Sequence, residues 1–286
     1  MPQQRLVCNL IKLRYNMKYK LIAIDLDGTL LNSQGEIDTQ TQQIIRSIAS
    51  TTNIILTTGR HHTTVAYYHQ LLQLNTPAIC CNGSYVYQFE NQQITFAEPI
   101  DKQRAAHFVS QSESLDLIAY ADDKILLCYQ HPANYISKLE SWGATLEPNI
   151  QPKIERVTDF ASALSDCKHV WTFVTEGSPN DIDAFISDPL IYENFSYEQS
   201  WFNRIGFNKK GNSKGAMLSR LATSLGIKLE DVVAIGDNDN DVSMLQCAGL
   251  GIAVNNATEK LKNCADIVTK ASNDQNAIVE AIKIIY

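Results

Sequence analysis

Four short apolar runs in this chain each stop abruptly at polar residues. Leu21-Ile22-Ala23-Ile24 stops at Asp25-Leu26-Asp27-Gly28-Thr29, and Asn53-Ile54-Ile55-Leu56 stops at Thr57-Thr58-Gly59-Arg60. Pro77-Ala78-Ile79-Cys80-Cys81 runs into Asn82-Gly83, and Val232-Val233-Ala234-Ile235 into Gly236-Asp237. A strand covered on both faces reads as such a run, which is the mark of parallel sheets flanked by helices. Helical periodicity fills the gaps: Ile37 to Ser50, with Ile44, Ile45 and Ile48 on one face, and Thr63 to Leu74. Strand and helix in alternation predict an α/β fold, a Rossmann-like doubly wound parallel-sheet core with right-handed crossovers.

The alternation breaks between about Val86 and Phe207. Strands there are more polar, as in Gln93-Ile94-Thr95-Phe96, Ile125-Leu126-Leu127-Cys128-Tyr129 and Val170-Trp171-Thr172-Phe173-Val174, with helices at Lys102–Ser112 and Asp181–Ile186. The α/β pattern resumes at Gly211. Ser213 is placed to cap a helix running to Leu225, Gly226 to stop it, and helices are expected at Asp241–Ala248 and Ile278–Ile285, with a strand at Gly251–Val254 between them. The expected organisation is therefore a core of residues 17–85 and 208–286, split by an inserted α+β domain at 86–207.

A length of 286 residues suits two domains, and 44% hydrophobic residues supply their cores. A net charge of −7 argues against nucleic-acid binding. It leaves room for an anionic substrate, because a bound cation reverses the local field. Seven scattered cysteines without CxxC spacing fit reduced thiols in a cytoplasmic protein and argue against a zinc site. No apolar run approaches the length of a membrane span. Residues 1–16 precede Met17 and the first strand, and are expected to be a loose extension, from an upstream start codon.

Ligands of open α/β sheets bind beyond the carboxyl ends of the strands. Asp25, Asp27, Thr58, Asn82 and Asp237 all fall there. Packing alone has no use for carboxylates beside buried strands, since they repel one another and need a counter-charge. A divalent, oxygen-seeking cation supplies it, and Mg²⁺ suits a few carboxylates plus a substrate phosphate. Asp25 and Asp27 are spaced to share one side if the strand continues, and Gly28 lets the chain turn after them. One carboxylate can then attack phosphorus while the other handles the proton. The acidic run from Asp237 to Asp241 is not a calcium loop, because Val242 and Ala248 stand where that loop needs Gly and Glu. Lys214, at a helix start, adds charge where the dipole is already positive, which suits holding a phosphate oxygen and pairing with a carboxylate. His61 and His62 read either as a solvent-facing pair or as a substrate contact at a pocket rim. In the insert, Tyr120, Asp122 and Asp123, just before a predicted strand, are candidates for selecting the substrate, with Tyr129 and His131 behind them. An aromatic there would stack on a ring, and an acid would meet a ring nitrogen or hydroxyl; the alternative for the two acids is a solvated turn.

Asp25-Leu26-Asp27-Gly28-Thr29, Thr58, Lys214 and Gly236-Asp237-x-x-Asn240-Asp241 resemble, in order and in strand context, the four motifs of the haloacid dehalogenase superfamily of phosphatases. The 156 positions from Thr58 to Lys214 resemble the large cap of the Cof subfamily. Thr58-Gly59-Arg60-His61-His62, Pro77 to Gly83, His131-Pro132 and Gly211 to Gly215 are similar to stretches of that subfamily's pyridoxal phosphate phosphatases. The resemblance spans Lys18 to the C-terminus and implies an aspartyl-phosphate mechanism. In it Asp25 is the nucleophile and Asp27 the general acid and base. Mg²⁺ is held by Asp25, the Asp27 carbonyl and Asp237, with Asp241 close behind. Leu26, Thr58, Gly59, Lys214 and Asn240 bind phosphate. The implied substrate is a small phosphorylated metabolite, pyridoxal 5′-phosphate first and sugar phosphates after it. A hexose-phosphate phosphatase, a phosphomutase and a non-catalytic phosphometabolite-binding protein are the alternatives.

Overall fold

The computed structural model describes residues 18–128, 134–201 and 203–286. In chain order the elements begin with β1 (Leu21–Ile24), α1 (Thr39–Ile48), β2 (Asn53–Thr57), α2 (His62–Leu71) and β3 (Ala78–Cys80). Then follow β4 (Tyr85–Gln88), β5 (Gln93–Ala97), α3 (Lys102–Gln111), β6 (Asp116–Ala121), β7 (Lys124–Cys128), α4 (Asn134–Gly143), β8 (Ile154–Val157), α5 (Phe160–Asp166) and β9 (Val170–Glu176). The chain continues with α6 (Pro179–Ile186), α7 (Pro189–Asn194), β10 (Phe195–Trp201), β11 (Arg204–Lys209) and α8 (Lys214–Ser224). It closes with β12 (Val232–Gly236), α9 (Val242–Cys247), β13 (Leu250–Ala253), α10 (Glu259–Cys264), β14 (Ile267–Val268) and α11 (Ala277–Ile285).

These elements divide into two compact units. The first takes in the chain up to Thr58, Gln70–Ala78 and Lys214–Tyr286; the second takes in Gly59–His69 and Ile79–Ser213. The second unit thus includes, besides residues 86–207, most of α2 and the turn after β3.

In the first unit the strands lie in the order β14-β13-β12-β1-β2. Every neighbouring pair runs parallel, with Ile24 opposite both Leu56 of β2 and Ile235 of β12. All four residues of β1 and all five of β12 are buried, as their unbroken apolar runs require. The chain winds outward from β1 to β2 on one side and from β12 through β13 to β14 on the other. Winding therefore reverses between β1 and β12, and a crevice opens at the carboxyl ends of these two strands. Asp25 and Asp237 are the first residues past them.

The second unit holds a six-stranded sheet in the order β10-β11-β9-β6-β7-β8, antiparallel except for the β7–β8 pair. Phe108, Phe173, Phe195 and Phe207 are buried in its core, with Phe108 stacked on Phe173 at 4.2 Å between centroids. The β4–β5 hairpin belongs to the same unit. Asp38, Asp101, Asp159, Ser178 and Asp188 cap α1, α3, α5, α6 and α7 through side-chain oxygens that accept backbone N–H bonds. Pro179 is the first residue of α6 after its Ser178 cap, so this helix starts earlier than the apolar periodicity indicated.

No helix among the described residues is long and apolar enough to cross a membrane. The expected N-terminal extension lies outside the described residues, as do Tyr129 and His131.

Candidate active site

Asp25, the first residue past β1, is buried, and so is Leu26 after it. Gly28 has φ +78°, and a Cβ there would stand 2.3 Å from Asp237 Oδ2. Glycine is therefore required at this point, both for the left-handed turn and for the close approach of the Asp237 carboxylate. Thr29 Oγ1 donates to Asp237 Oδ1 at 2.9 Å, which fixes Asp237 from the β1 side.

From the β12 side Asp237 is held by Asp241. Asp241 Oδ2 accepts the backbone N–H groups of Asp237 and Asn238 at 2.9 and 3.0 Å. A short 3₁₀ turn, Asp239–Asp241, precedes α9, so the helix begins one residue later than the sequence pattern gave it. The reason is that Asp241 uses its side chain to satisfy the amides of the preceding turn.

Lys214 opens α8 and is wholly buried. Its Nζ lies 2.6 Å from Asp25 Oδ1 and 2.6 Å from Asp241 Oδ1. One oxygen from each of Asp25, Asp237 and Asp241 falls within 4.8 Å of the others. Three carboxylates against one ammonium leave two negative charges without compensation, which one divalent cation would balance. The donor set is all oxygen, as Mg²⁺ requires. These residues fit that ion.

The electrostatics show the same strain. Burial raises the Asp25 carboxyl well above the carboxylate range; Lys214 opposes this, while the charges of Asp241 and Asp237 add to it. Burial, then the charge of Asp241, pushes Asp237 up to about 6. Burial pulls the Lys214 ammonium down, but Asp241 and Asp25 outweigh it and hold the group above the usual lysine value.

Four of the expected residues thus come together: Asp25, Lys214, Asp237 and Asp241. Thr58 follows β2 at the same end of the sheet and is buried, and Asn240 lies within the 3₁₀ turn, half-buried. The Asp27 side chain is exposed and adds no oxygen to the carboxylate group, so any part for Asp27 as a ligand falls to its carbonyl. Thr29 escaped the sequence reading; its only signal was its place in the DxDGT string.

The remaining candidates belong to the second unit. His61 and His62 are buried, which corrects the solvent-facing reading of the pair. Neighbouring rings enclose them: His62 stacks on Tyr87 at 3.9 Å between centroids, and His61 lies 5.7 Å from Tyr120. His61 shares a 3.2 Å hydrogen bond, Nε2 to the Asp122 carbonyl oxygen, and its Nδ1 lies 2.9 Å from Thr63 Oγ1. The His62 N–H donates to the Tyr85 hydroxyl at 3.1 Å. Burial pulls the His61 pKa down to about 4 and, with the charge of His61 second, that of His62 down to about 2.

Asp122 and Asp123 form the two-residue turn of the β6–β7 hairpin, immediately before β7 as expected, with Asp122 at φ +46°. The Asp122 carboxylate is engaged by the amides of Lys168 and His169 at 3.0 and 2.8 Å. Asp123 pairs with Lys153. Tyr120 is buried within β6. Asn82 lies beside Gly59, where an added Cβ would stand 3.2 Å from Asn82 Oδ1.

A sequence model of the haloacid dehalogenase-like hydrolase family matches residues 22–282. The chain is 32% identical over 270 residues to a pyridoxal phosphate phosphatase, YbhA, of Escherichia coli, covering 93% of this chain and 98% of that one. It is 28% identical to the phosphatase YwpJ of Bacillus subtilis, covering 92% and 99%. Among solved structures, a haloacid dehalogenase-like hydrolase from Bacteroides thetaiotaomicron superposes with a TM-score of 0.82 at 25% identity, over 94% of this chain and 100% of that one.

Proposed function

The chain belongs to the haloacid dehalogenase-like hydrolase family and is a phosphatase, and from that premise we propose that it is a Mg²⁺-dependent phosphomonoesterase that hydrolyses pyridoxal 5′-phosphate through an aspartyl-phosphate on Asp25. The observation that carries the chemistry is the buried group in which Lys214 joins Asp25 to Asp241 beside Asp237. Substrate identity draws on the relative from Escherichia coli.

Asp25 Oδ attacks phosphorus, and the bond from phosphorus to the substrate's ester oxygen breaks. Asp27, whose side chain is exposed, gives its proton to the departing alkoxide. Water then attacks the phosphorus of the acyl phosphate, its proton passes to Asp27, and the bond to Asp25 breaks to release inorganic phosphate. Lys214, Thr58, the Gly59 amide, the Leu26 amide and Asn240 hold the phosphoryl oxygens. Asp25, Asp237 and the Asp27 carbonyl would hold Mg²⁺, which when bound would supply positive charge against the phosphoryl group and keep the buried carboxylates ionised. Positioning and charge neutralisation account for most of the acceleration, as phosphoryl transfer requires.

The inserted residues 86–207 act as a substrate-selecting cap. Asp123 is the candidate acid for the organic part of the substrate, whereas Tyr120 is buried within β6 and is not exposed to it. Asp122 serves a different purpose, because its carboxylate is taken up by two backbone amides.

The test is kcat/KM across a panel of phosphomonoesters with Mg²⁺, repeated with a chelator. Pyridoxal 5′-phosphate is expected to rank first, and the chelator to abolish turnover reversibly. A higher value for a hexose phosphate overturns the substrate, and full activity in metal-free buffer overturns the metal requirement.

A further inference from the structure

Directly after β3, three consecutive residues have a left-handed backbone: Cys81, Asn82 and Gly83, at φ 50°, 52° and 89°. Only the last is glycine, so two residues with side chains are held in a region costly to any Cβ. Such a conformation persists only where its surroundings enforce it.

Those surroundings converge on Asn208, a buried residue of β11. Its Nδ2 lies 2.9 Å from the Cys81 carbonyl oxygen, 2.9 Å from Ser84 Oγ, 2.6 Å from Thr172 Oγ1 and 3.5 Å from the Trp171 carbonyl oxygen. The Cys81 carbonyl also accepts the Ser84 N–H at 3.1 Å, and the Cys81 N–H donates to the Arg60 carbonyl at 3.1 Å. Ser84 Oγ donates to the Trp171 carbonyl at 3.0 Å. The turn is therefore tied to β9, to β11 and to the residue after Gly59. What it carries is the Asn82 carboxamide, set so close to Gly59 that an added Cβ there would stand 3.2 Å from Oδ1 and 3.4 Å from Nδ2.

We infer that Asn208 is a positioning residue for phosphate binding: it holds the left-handed turn that sets Asn82 against Gly59. This rests on the reading of Thr58 and Gly59 as holders of phosphoryl oxygens. The Thr172 hydroxyl can turn to donate, Ser84 Oγ already donates to the Trp171 carbonyl, and the Cys81 carbonyl can only accept. Asn208→Asp therefore keeps the size of the side chain and its contact with Thr172 while cutting the bond to the turn.

The experiment measures inorganic phosphate binding by calorimetry with Mg²⁺ on the full chain, and kcat and KM for p-nitrophenyl phosphate. Asn208→Asp is expected to weaken phosphate binding and raise KM about tenfold, with kcat changed far less. Asn82→Gly, which relieves the backbone and removes the carboxamide, is expected to do the same. The double variant should be no weaker than Asn82→Gly alone, because both act through one element. If the two effects multiply, or if Asn208→Asp lowers the unfolding midpoint but leaves phosphate affinity within twofold, the inference is overturned. Asn208→Ser, which loses the reach to Cys81, replaces Asn208→Asp if the latter does not fold. Thr58→Ala separates the two levels: if it leaves phosphate affinity unchanged, the phosphate-loop reading has failed. If it weakens affinity while Asn208→Asp does not, only the role of Asn208 has failed.

Discussion

The Gly215 N–H donates to Ser243 Oγ at 3.0 Å, and a Cβ on Gly215 would stand 2.1 Å from the Ser243 carbonyl oxygen. Helices α8 and α9 meet here backbone against backbone, one residue away from Lys214. Gly215→Ala must push the helices apart, since a carbonyl cannot yield as a flexible side chain can. A destabilisation of about 1–3 kcal/mol is expected from overpacking of this kind. Because Lys214 moves with its helix, kcat/KM should fall at least tenfold in protein that is still folded. Unfolding curves and steady-state rates on the same preparation check both parts.

Lys214→Met removes the cation that the structure sets between two buried carboxylates. Breaking a buried ion pair from one side costs roughly 3–5 kcal/mol, because the remaining charges lose their partner. Without metal, the variant should unfold at a clearly lower denaturant concentration than the parent, and its turnover should fall by at least a hundredfold. Retained activity would remove Lys214 from the phosphate-binding set.

Mg²⁺ should raise the thermal midpoint of the parent protein. Its binding offsets the burial and, after it, the mutual repulsion that hold Asp25 and Asp237 above the carboxylate range. At a hundred times the dissociation constant the gain is about 2.7 kcal/mol by mass action. Asp237→Asn should lose most of this shift and be more stable than the parent in metal-free buffer, since one of three crowded charges is gone. Differential scanning calorimetry with and without Mg²⁺ reads both effects.

The buried histidine pair predicts a pH dependence of a particular sign. In the folded chain His61 titrates near 4 and His62 near 2, whereas in the unfolded chain both titrate near 6.5. Between those values the unfolded chain takes up protons that the native state refuses. Stability is therefore complete above pH ~6.5 and is lost as pH falls toward 4, by about 3 kcal/mol for His61 alone. His62→Phe, which keeps a ring against Tyr87, should flatten the slope of unfolding free energy between pH 5 and 6.5. An unchanged slope would mean that other groups cause it.

The acidic centre was legible in the sequence because β1 and β12 carry their signal locally: an apolar run, then a carboxylate. The same holds for Lys214, whose position at a helix start is unfavourable unless it meets an anion. The second unit was harder to read. Asp122 and Asp123 looked alike as candidates beside a strand, but the distinction between them depends on the amides of Lys168 and His169, 46 and 47 positions away from Asp122. His61 and His62 read as surface residues because histidine is polar; their burial comes from Tyr85, Tyr87 and Tyr120, which no local pattern brings near them. Asn208 gave no signal at all, since a lone asparagine in a strand is unremarked until its four acceptors are seen.

The residues that converge on the acidic centre come from opposite ends of the first unit's sequence, Asp25 being 189 positions ahead of Lys214. A ribosome releases the chain from its N-terminus, so all of residues 79–213 emerge before Lys214, Asp237 or Asp241 exists. Strand β1 must wait for β12 across that whole interval, whereas the six-stranded sheet is made of strands that emerge close together. Loop closure over such a span is costly in entropy and slow compared with local pairing. The second unit is therefore free to fold during synthesis, while the acidic centre is completed only once the C-terminal strands are delivered.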